Sequence, residues 1–357
     1  MHFDTNILLK ALPALLLLAG IEWMVLVKEK HHAKPKGQEL GSLWLGLGFL
    51  ILSPVTKSVN LFAYSIAYEY RIWSLPDNLW LTFIPGFLAE DFTYYWFHRL
   101  SHQVRFLWAS HMVHHSGEHF SYTVAFRQPW TGHLSGTFIF WMWMPLVGFS
   151  PAMVLFLKSI NVMYQFSLHT ETIKRLPRWV EFIFNTPSHH RVHHGSDREY
   201  IDKNHGGTLM IWDRIFGTYQ DEIRKPTYGL TKNIPSQNPF VITFFEWKRL
   251  FADLRHSRSF GDYISYLFRP PGWSKPVSAV SARCQPHVAH PGVQAEGKKN
   301  TCKTCTLRGS CAHSAAVQKH SKENNGTAIR NTANDPGIMP QEQPAPMALQ
   351  TGNERSV

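Results

Sequence analysis

The stretch NLWLTFIPGFLAEDFTYYWFHRLSH, residues 78–102, decides the fold. From Asn78 to Phe97 it is mostly apolar and aromatic, and it has the length of about 20 residues that a helix needs to cross a bilayer core. It closes on His98-Arg-Leu-Ser-His102. Two histidines four residues apart share one face of a helix, with Cβ atoms about 5–6 Å apart. A helix of membrane length that carries a histidine pair to its own end predicts an all-α, multi-span integral membrane chain with a histidine-rich cap. Glu90 and Asp91 interrupt the run. Acidic residues within such a run are costly and are usually paired or functional. Here they either accept hydrogen bonds from ligand imidazoles or are solvated at a helix end.

Further apolar runs lie on both sides. Residues 7–27 are interrupted by Lys10 and Glu22, and no small-residue cleavage site follows, so they read as an anchor and not a signal peptide. Residues 40–67 are apolar except for Lys57, with a kink expected at Ser53-Pro54. Residues 134–149 and 151–168 are divided by Gly148-Phe149-Ser150-Pro151; the former is short for a crossing, and a re-entrant hairpin is the alternative. Lys28, Lys30, Lys34 and Lys36 follow the first run. Positive loops stay in the cytoplasm. The expected topology therefore has an external N-terminus and cytoplasmic histidine clusters, in what would be a bacterial inner membrane.

The formal net charge is +11. No groove-reading or stacking motif accompanies it, so nucleic acid is not the expected partner. The basic residues instead suit anionic headgroups beside membrane spans. After Trp273 the 357-residue chain has no Phe, Trp or Tyr. Such a stretch cannot bury enough apolar surface to offset its ordering entropy, and residues 276–357 read as a disordered tail. All four cysteines lie there. Cys302 and Cys305 form a C-x-x-C pair followed by Cys311 and His313, which is either a small metal site or a set of solvated thiols.

Of the 21 histidines, 13 fall between His98 and His205. His98 and His102 form H-x3-H; His111, His114 and His115 form H-x2-H-H; His190, His193 and His194 repeat it. Each cluster can aim two or three imidazoles at one point, and eight such residues suit two metal ions better than one. Imidazole suits iron, zinc, copper and nickel alike. The clusters lack the central Glu of H-E-x-x-H and the E-x-x-H pairs of carboxylate di-iron bundles. A polyhistidine site among aromatics at a lipid boundary points to a hydrophobic substrate meeting a redox metal.

The order of these boxes resembles the fatty acid hydroxylase and sterol desaturase superfamily of membrane di-iron enzymes. The resemblance covers about residues 40–273. Asp91-Phe92-Thr93-Tyr94-Tyr95-Trp96-Phe97-His98-Arg99 is similar to its first box, and Asn185-Thr186-Pro187-Ser188-His189-His190-Arg191-Val192-His193-His194-Gly195 to its last. The continuation, Asp202-Lys203-Asn204-His205-Gly206-Gly207 through Trp212-Asp213-Arg214-Ile215-Phe216-Gly217-Thr218, is especially similar to the alkylglycerol monooxygenase branch and its bacterial relatives. The resemblance implies His98, His102, His111, His114, His115, His190, His193 and His194 as iron ligands, with His169 and His189 as further candidates. His119, His133 and His205 either orient ligands or are solvated. Glu90, Asp91, Glu171, Asp197 and Asp213 are available to accept from the second ring nitrogen of a ligand.

It also implies two iron ions, O2, and oxidation of a lipid C–H bond by hydroxylation or desaturation. No cytochrome b5 or ferredoxin signature is fused to the chain, so an external electron donor is expected: tetrahydrobiopterin, or a protein of the ferredoxin or cytochrome b5 type. The implied division is an anchor and basic loop (1–39), a catalytic domain (40–235), an amphipathic extension (236–275) and the tail. The rival readings are a membrane zinc-dependent lipid hydrolase and a histidine-rich metal-binding or transport protein.

Overall fold

The computed structural model describes residues 3–28, 37–76, 79–133 and 135–275. The basic stretch at 29–36 and the cysteine-bearing segment 276–357, on which the topology and tail expectations rest, lie outside the described residues. Among the described residues there are helices, turns and two isolated β-bridges, but no strand. The chain is all-α.

Among the described residues, two helices are long and apolar enough to cross a membrane. They are α1 (Ile7–Lys28, 22 residues) and α2 (Gln38–Glu69, 32 residues), about 33 and 48 Å long at 1.5 Å per residue. Most of their apolar surface faces outward, as lipid contact requires: Leu9, Leu17, Ile51, Val55 and Phe62 are all exposed. Pro54 does not break α2. A proline cannot donate to the carbonyl four residues back, here that of Leu50. The Ser53 hydroxyl donates to this carbonyl instead, at 2.8 Å.

A π-helical turn, Leu79–Phe83, leads into α3 (Ile84–Gln103). Val104 is extended, and α4 (Arg105–His115) follows at once. After the single turn α5 (Tyr122–Ala125), the 134–149 run is not one helix. It divides into a 3-10 turn, Thr137–Trp141, and α6 (Trp143–Val147). Gly148 ends it at φ 128°, where a Cβ would lie 2.3 Å from the Trp73 carbonyl oxygen. The 16 residues of α7 (Pro151–Phe166), capped by Ser150, span about 24 Å. This is short of the roughly 30 Å bilayer core, and α6 and α7 pack on α2 as a hairpin.

The cap is assembled from short pieces: α8 (Arg178–Ile183), α9 (Pro187–His193) and α10 (Ile211–Ile215). The last helices, α11 (Pro239–Arg255) and α12 (Phe260–Phe268), pack against α4. Arg105 pairs with Glu246 at 2.8 Å and with Asp253 at 2.7 Å. Arg127 is fully buried and donates to Ser116, to Ser42 of α2 and to Gln237 just before α11. One guanidinium thus ties the membrane helix, the end of α4 and the start of α11 together.

Candidate metal centre

Each histidine box sits where its element can present one face. His98 and His102 occupy the last turns of α3, and His111, His114 and His115 the last turn and a half of α4. His190 and His193 lie on α9, with His194 at its C-cap. His169 stands in the turn after α7. These nine side chains converge on two adjacent groups. The first holds His98, His102, His111, His115 and His193; the second holds His114, His169, His190 and His194. Within each group the candidate ligand atoms lie within 4.8 Å of one another. His115 and His194, one from each group, stack with ring centroids 4.3 Å apart.

The nitrogens face each other at close range. His98 Nε2 is 3.1 Å from His111 Nε2, which is 3.2 Å from His115 Nε2, which is 3.1 Å from His193 Nε2. In the second group, His169 Nε2 lies 3.1 Å from His114 Nε2 and 3.0 Å from His190 Nε2. Two nitrogens each about 2.1 Å from one ion sit about 3.0 Å apart at a right angle and about 3.4 Å apart at the tetrahedral angle. The observed separations, 3.0–3.2 Å, are those of nitrogens that can share one cation. The buried Nε2 atoms of His102 and His194 have no hydrogen-bond partner, as expected of lone pairs aimed at an ion.

Three rings have their tautomer set by the backbone. Nδ1–H of His98 donates to the His205 carbonyl at 2.9 Å, that of His193 to the Lys203 carbonyl at 2.9 Å, and that of His169 to the Gln165 carbonyl at 2.8 Å. Each bond leaves Nε2 with a lone pair directed into its group. Burial is the main force lowering the pKa of each grouped imidazole, and for all of them but His193 neighbouring imidazoles add to it. His111 and His169 fall to about 3 and His193 to about 4; His98, His102, His114, His115, His190 and His194 also lie well below the ordinary value. Neutral imidazole is the form that binds a metal, so the residues present fit metal ions well.

His189 stands outside both groups, its Nδ1 3.2 Å from the Thr186 hydroxyl. The five carboxylates have partners other than the grouped imidazoles. Asp91 accepts from the amides of Thr208 and Leu209 and from the Trp212 indole, at 2.7, 3.1 and 2.9 Å. Asp213 accepts from the amides of His205 and Gly206, both at 2.7 Å, and from the Thr218 hydroxyl. Together they clamp the 204–212 loop, whose His205 carbonyl orients His98. Gly207 lies so close to α7 that a Cβ there would stand 2.6 Å from Asn161 Oδ1. Glu90 accepts from Asn161, Glu171 from Tyr228 and Lys225, and Asp197 from the Thr227 amide and Arg224. The contacts that sequence reading missed are Asp202, 3.6 Å from His102 Nδ1, and the three backbone carbonyls. A carbonyl belongs to every residue type and leaves no trace in a sequence.

A largely apolar cavity of about 210 Å³ adjoins both groups. His111, His114 and His169 contribute to its wall beside Tyr94, Gln128 and Gln165. The remainder is apolar, chiefly leucine, phenylalanine and smaller residues of α1, α2 and α7, with Phe97 of α3 and Phe126 after α5. Tyr94 donates its hydroxyl to Gln165 Oε1 at 2.7 Å, Gln165 donates to Asn161 at 2.7 Å, and Asn161 donates to Glu90 at 2.8 Å. The polar atoms of this wall are thus held by a chain of buried hydrogen bonds.

Residues 83–218 match the model of the fatty acid hydroxylase family. The chain is 40% identical to alkylglycerol monooxygenase of Homo sapiens over 246 residues, which cover 67% of this chain and 54% of that enzyme. It is 41% identical to the Xenopus tropicalis enzyme of the same name over 210 residues, 57% of this chain and 45% of that one. It is 26% identical to an ornithine lipid hydroxylase of Rhizobium tropici over 162 residues, 45% of this chain and 48% of that protein. The chain spans about half the length of the curated relatives it matches. No solved structure matches it.

Proposed function

We propose that this chain is a membrane-bound, O2-dependent lipid hydroxylase with two iron ions, similar in reaction to alkylglycerol monooxygenase; residues 83–218 match the fatty acid hydroxylase family. The observation that carries this reading is the convergence of nine neutral imidazoles, in a group of five and a group of four, beside an apolar cavity. A five-imidazole group exceeds the four ligands of a tetrahedral zinc site and disfavours the zinc hydrolase.

In this reading His98, His102, His111, His115 and His193 hold one ion, and His114, His169, His190 and His194 the other. When bound, the pair supplies the oxygen chemistry that cleaves an unactivated C–H bond. The chain's own residues bind, orient and keep dry. The His205, Lys203 and Gln165 carbonyls fix three ring orientations. Phe97, Phe126 and Phe166 exclude water beside the reacting carbon, and Tyr94, Gln128 and Gln165 are the side chains that can contact a polar group on the lipid. Inserting one oxygen atom and reducing the other to water takes two electrons and two protons. An external donor supplies the electrons: a tetrahydropterin, or a protein of the ferredoxin or cytochrome b5 type. We place both groups on the cytoplasmic face of a bacterial inner membrane, on the strength of the lysines at 28–36, and read α6–α7 as a re-entrant hairpin.

The test is to give purified protein a membrane lipid, a reductant and labelled oxygen, with and without tetrahydropterin, and to read products by mass spectrometry. One labelled oxygen atom in the lipid product is expected. A new double bond without label identifies desaturation. A product formed equally well without oxygen overturns the oxidative reading.

A further inference from the structure

Helix α1 is poorly packed for an element that walls a site. Its inward residues are Leu8, Leu12, Leu15, Ala19 and Glu22, while Leu9, Leu16, Leu17 and Leu18 are exposed. The spacing of four, three, four and three residues makes one straight stripe along a helix. Three members of that stripe, Leu8, Leu12 and Leu15, line the cavity that His111, His114 and His169 also line.

Glu22 closes the stripe, and it is only 4% exposed. A buried carboxylate in an apolar helix is costly unless it is hydrogen-bonded. Glu22 accepts from the Tyr122 amide at 2.7 Å and from the Thr170 hydroxyl. Thr170 directly follows His169 of the second metal group, and its carbonyl accepts from Arg191 at 3.1 Å. At the other end of α1, Lys57 of α2 donates to the Thr5 carbonyl at 2.9 Å and to Asn6 Oδ1 at 2.6 Å. Polar contacts thus fix α1 at both ends, and the leucines lie between them. With Glu22 level with the His169–Thr170 turn, Leu15, Leu12 and Leu8 stand about 10, 15 and 21 Å further along the axis at 1.5 Å per residue.

We propose that the Leu8–Leu12–Leu15 stripe of α1 is the alkyl-chain subsite, graded by distance from the metal groups, and that Glu22 is the positioning residue that sets its register against His169. The inference rests on the lipid-oxidation reading, yet binding of the chain is measurable without oxidation. A lipid whose chain just fills the cavity brings its methyl end to Leu8, and a bulky side chain at Leu12 shortens the chain that fits.

The test uses the full-length protein in lipid nanodiscs. The probes are two hexadecyl glycerolipids, one with a photoactivatable diazirine near the methyl end and one with it near the glycerol. Competition by unlabelled hexadecyl lipid should remove methyl-end adducts at Leu8 and Leu12 and glycerol-end adducts near Leu15. Adducts on the outward Leu9, Leu16 and Leu17 arise from bulk lipid and should resist competition. Leu12→Trp should abolish the competed methyl-end adducts and reduce binding of hexadecyl relative to decyl lipid by about tenfold. Glu22→Leu should displace or abolish the competed adducts while metal content is retained. Glu22→Gln, which can still accept from Tyr122, should restore them. Competed adducts that map away from α1, a chain-length profile unchanged by Leu12→Trp, or normal labelling in Glu22→Leu would each overturn the proposal. Competed labelling of α1 without any lipid oxidation would refute the hydroxylase reading and leave the subsite standing.

Discussion

At the scale of single residues, the site depends on which imidazoles share an ion. His114 and His193 belong to different groups, yet each faces nitrogens of its own group at close range. Under the di-iron reading, His114→Ala or His193→Ala should lower lipid oxidation at least a hundredfold and reduce bound iron, with the protein still in the membrane. His189→Ala, outside both groups, should keep its iron; metal analysis and an activity assay separate these outcomes. The box histidines were legible because their spacing of three and four fixes a shared helix face. His169 carries no such partner in sequence, and only its place after an apolar run and the family resemblance pointed to it. His189 and His190 are adjacent and alike in sequence; the course of α9 turns His190 inward and leaves His189 on Thr186.

Protonation offers a second test at this scale. The native pKa values of the grouped imidazoles are depressed below the ordinary value of about 6.5; His193 is near 4 and His111 near 3. Between those limits the unfolded chain binds protons that the native cap excludes, so native stability rises with pH across this interval. It is fully present above about 6.5 and is lost as pH falls toward 4. Metal-free protein should therefore melt at progressively lower temperature from pH 7 to pH 5 in a thermal unfolding series. A flat profile would show that the rings are not buried and neutral.

At the scale of elements, the 204–212 loop is held to α3 by Asp91 and to itself by Asp213. Asp91→Ala leaves two amides and one indole N–H without their acceptor, a loss of about 3 kcal/mol. The variant should melt earlier and expose residues 204–212 to limited proteolysis, with iron lost because the His205 carbonyl no longer holds His98. Asp91→Asn keeps one acceptor oxygen and should lose less; equal proteolysis of all three proteins would remove the clamp from the account. Sequence alone marked Asp91 and Asp213 as available acceptors. It could not distinguish an imidazole donor from a backbone amide, because the amides come from a loop more than a hundred residues from Asp91. The helices α1 and α2 were legible from apolar length; α3 starts at Ile84, six residues into the 78–97 run, and continues past its end to Gln103. The 134–149 run was not legible in this way, because Gly148 and the 3-10 turn break it without lowering its hydropathy.

At the scale of the whole molecule, the proposed lipid oxidation requires a lipid-embedded bundle with its histidine groups at one face. Reporter fusions at Lys34 and His119 should both give a cytoplasmic signal, and an external signal at His119 would reverse the topology. All-α character and a polyhistidine centre could be read from the sequence; the division into groups of five and four could not, because it depends on how the ends of α3 and α4, the residues after α7 and α9 are brought together. That division is the central claim, and iron K-edge X-ray absorption with metal counting on full-length protein from iron-replete cells tests it most directly. About two iron atoms per chain are expected, with the protein's ligands all nitrogen at about 2.1 Å. A single metal per chain, or a sulfur shell from the Cys302–Cys311 segment, would contradict it.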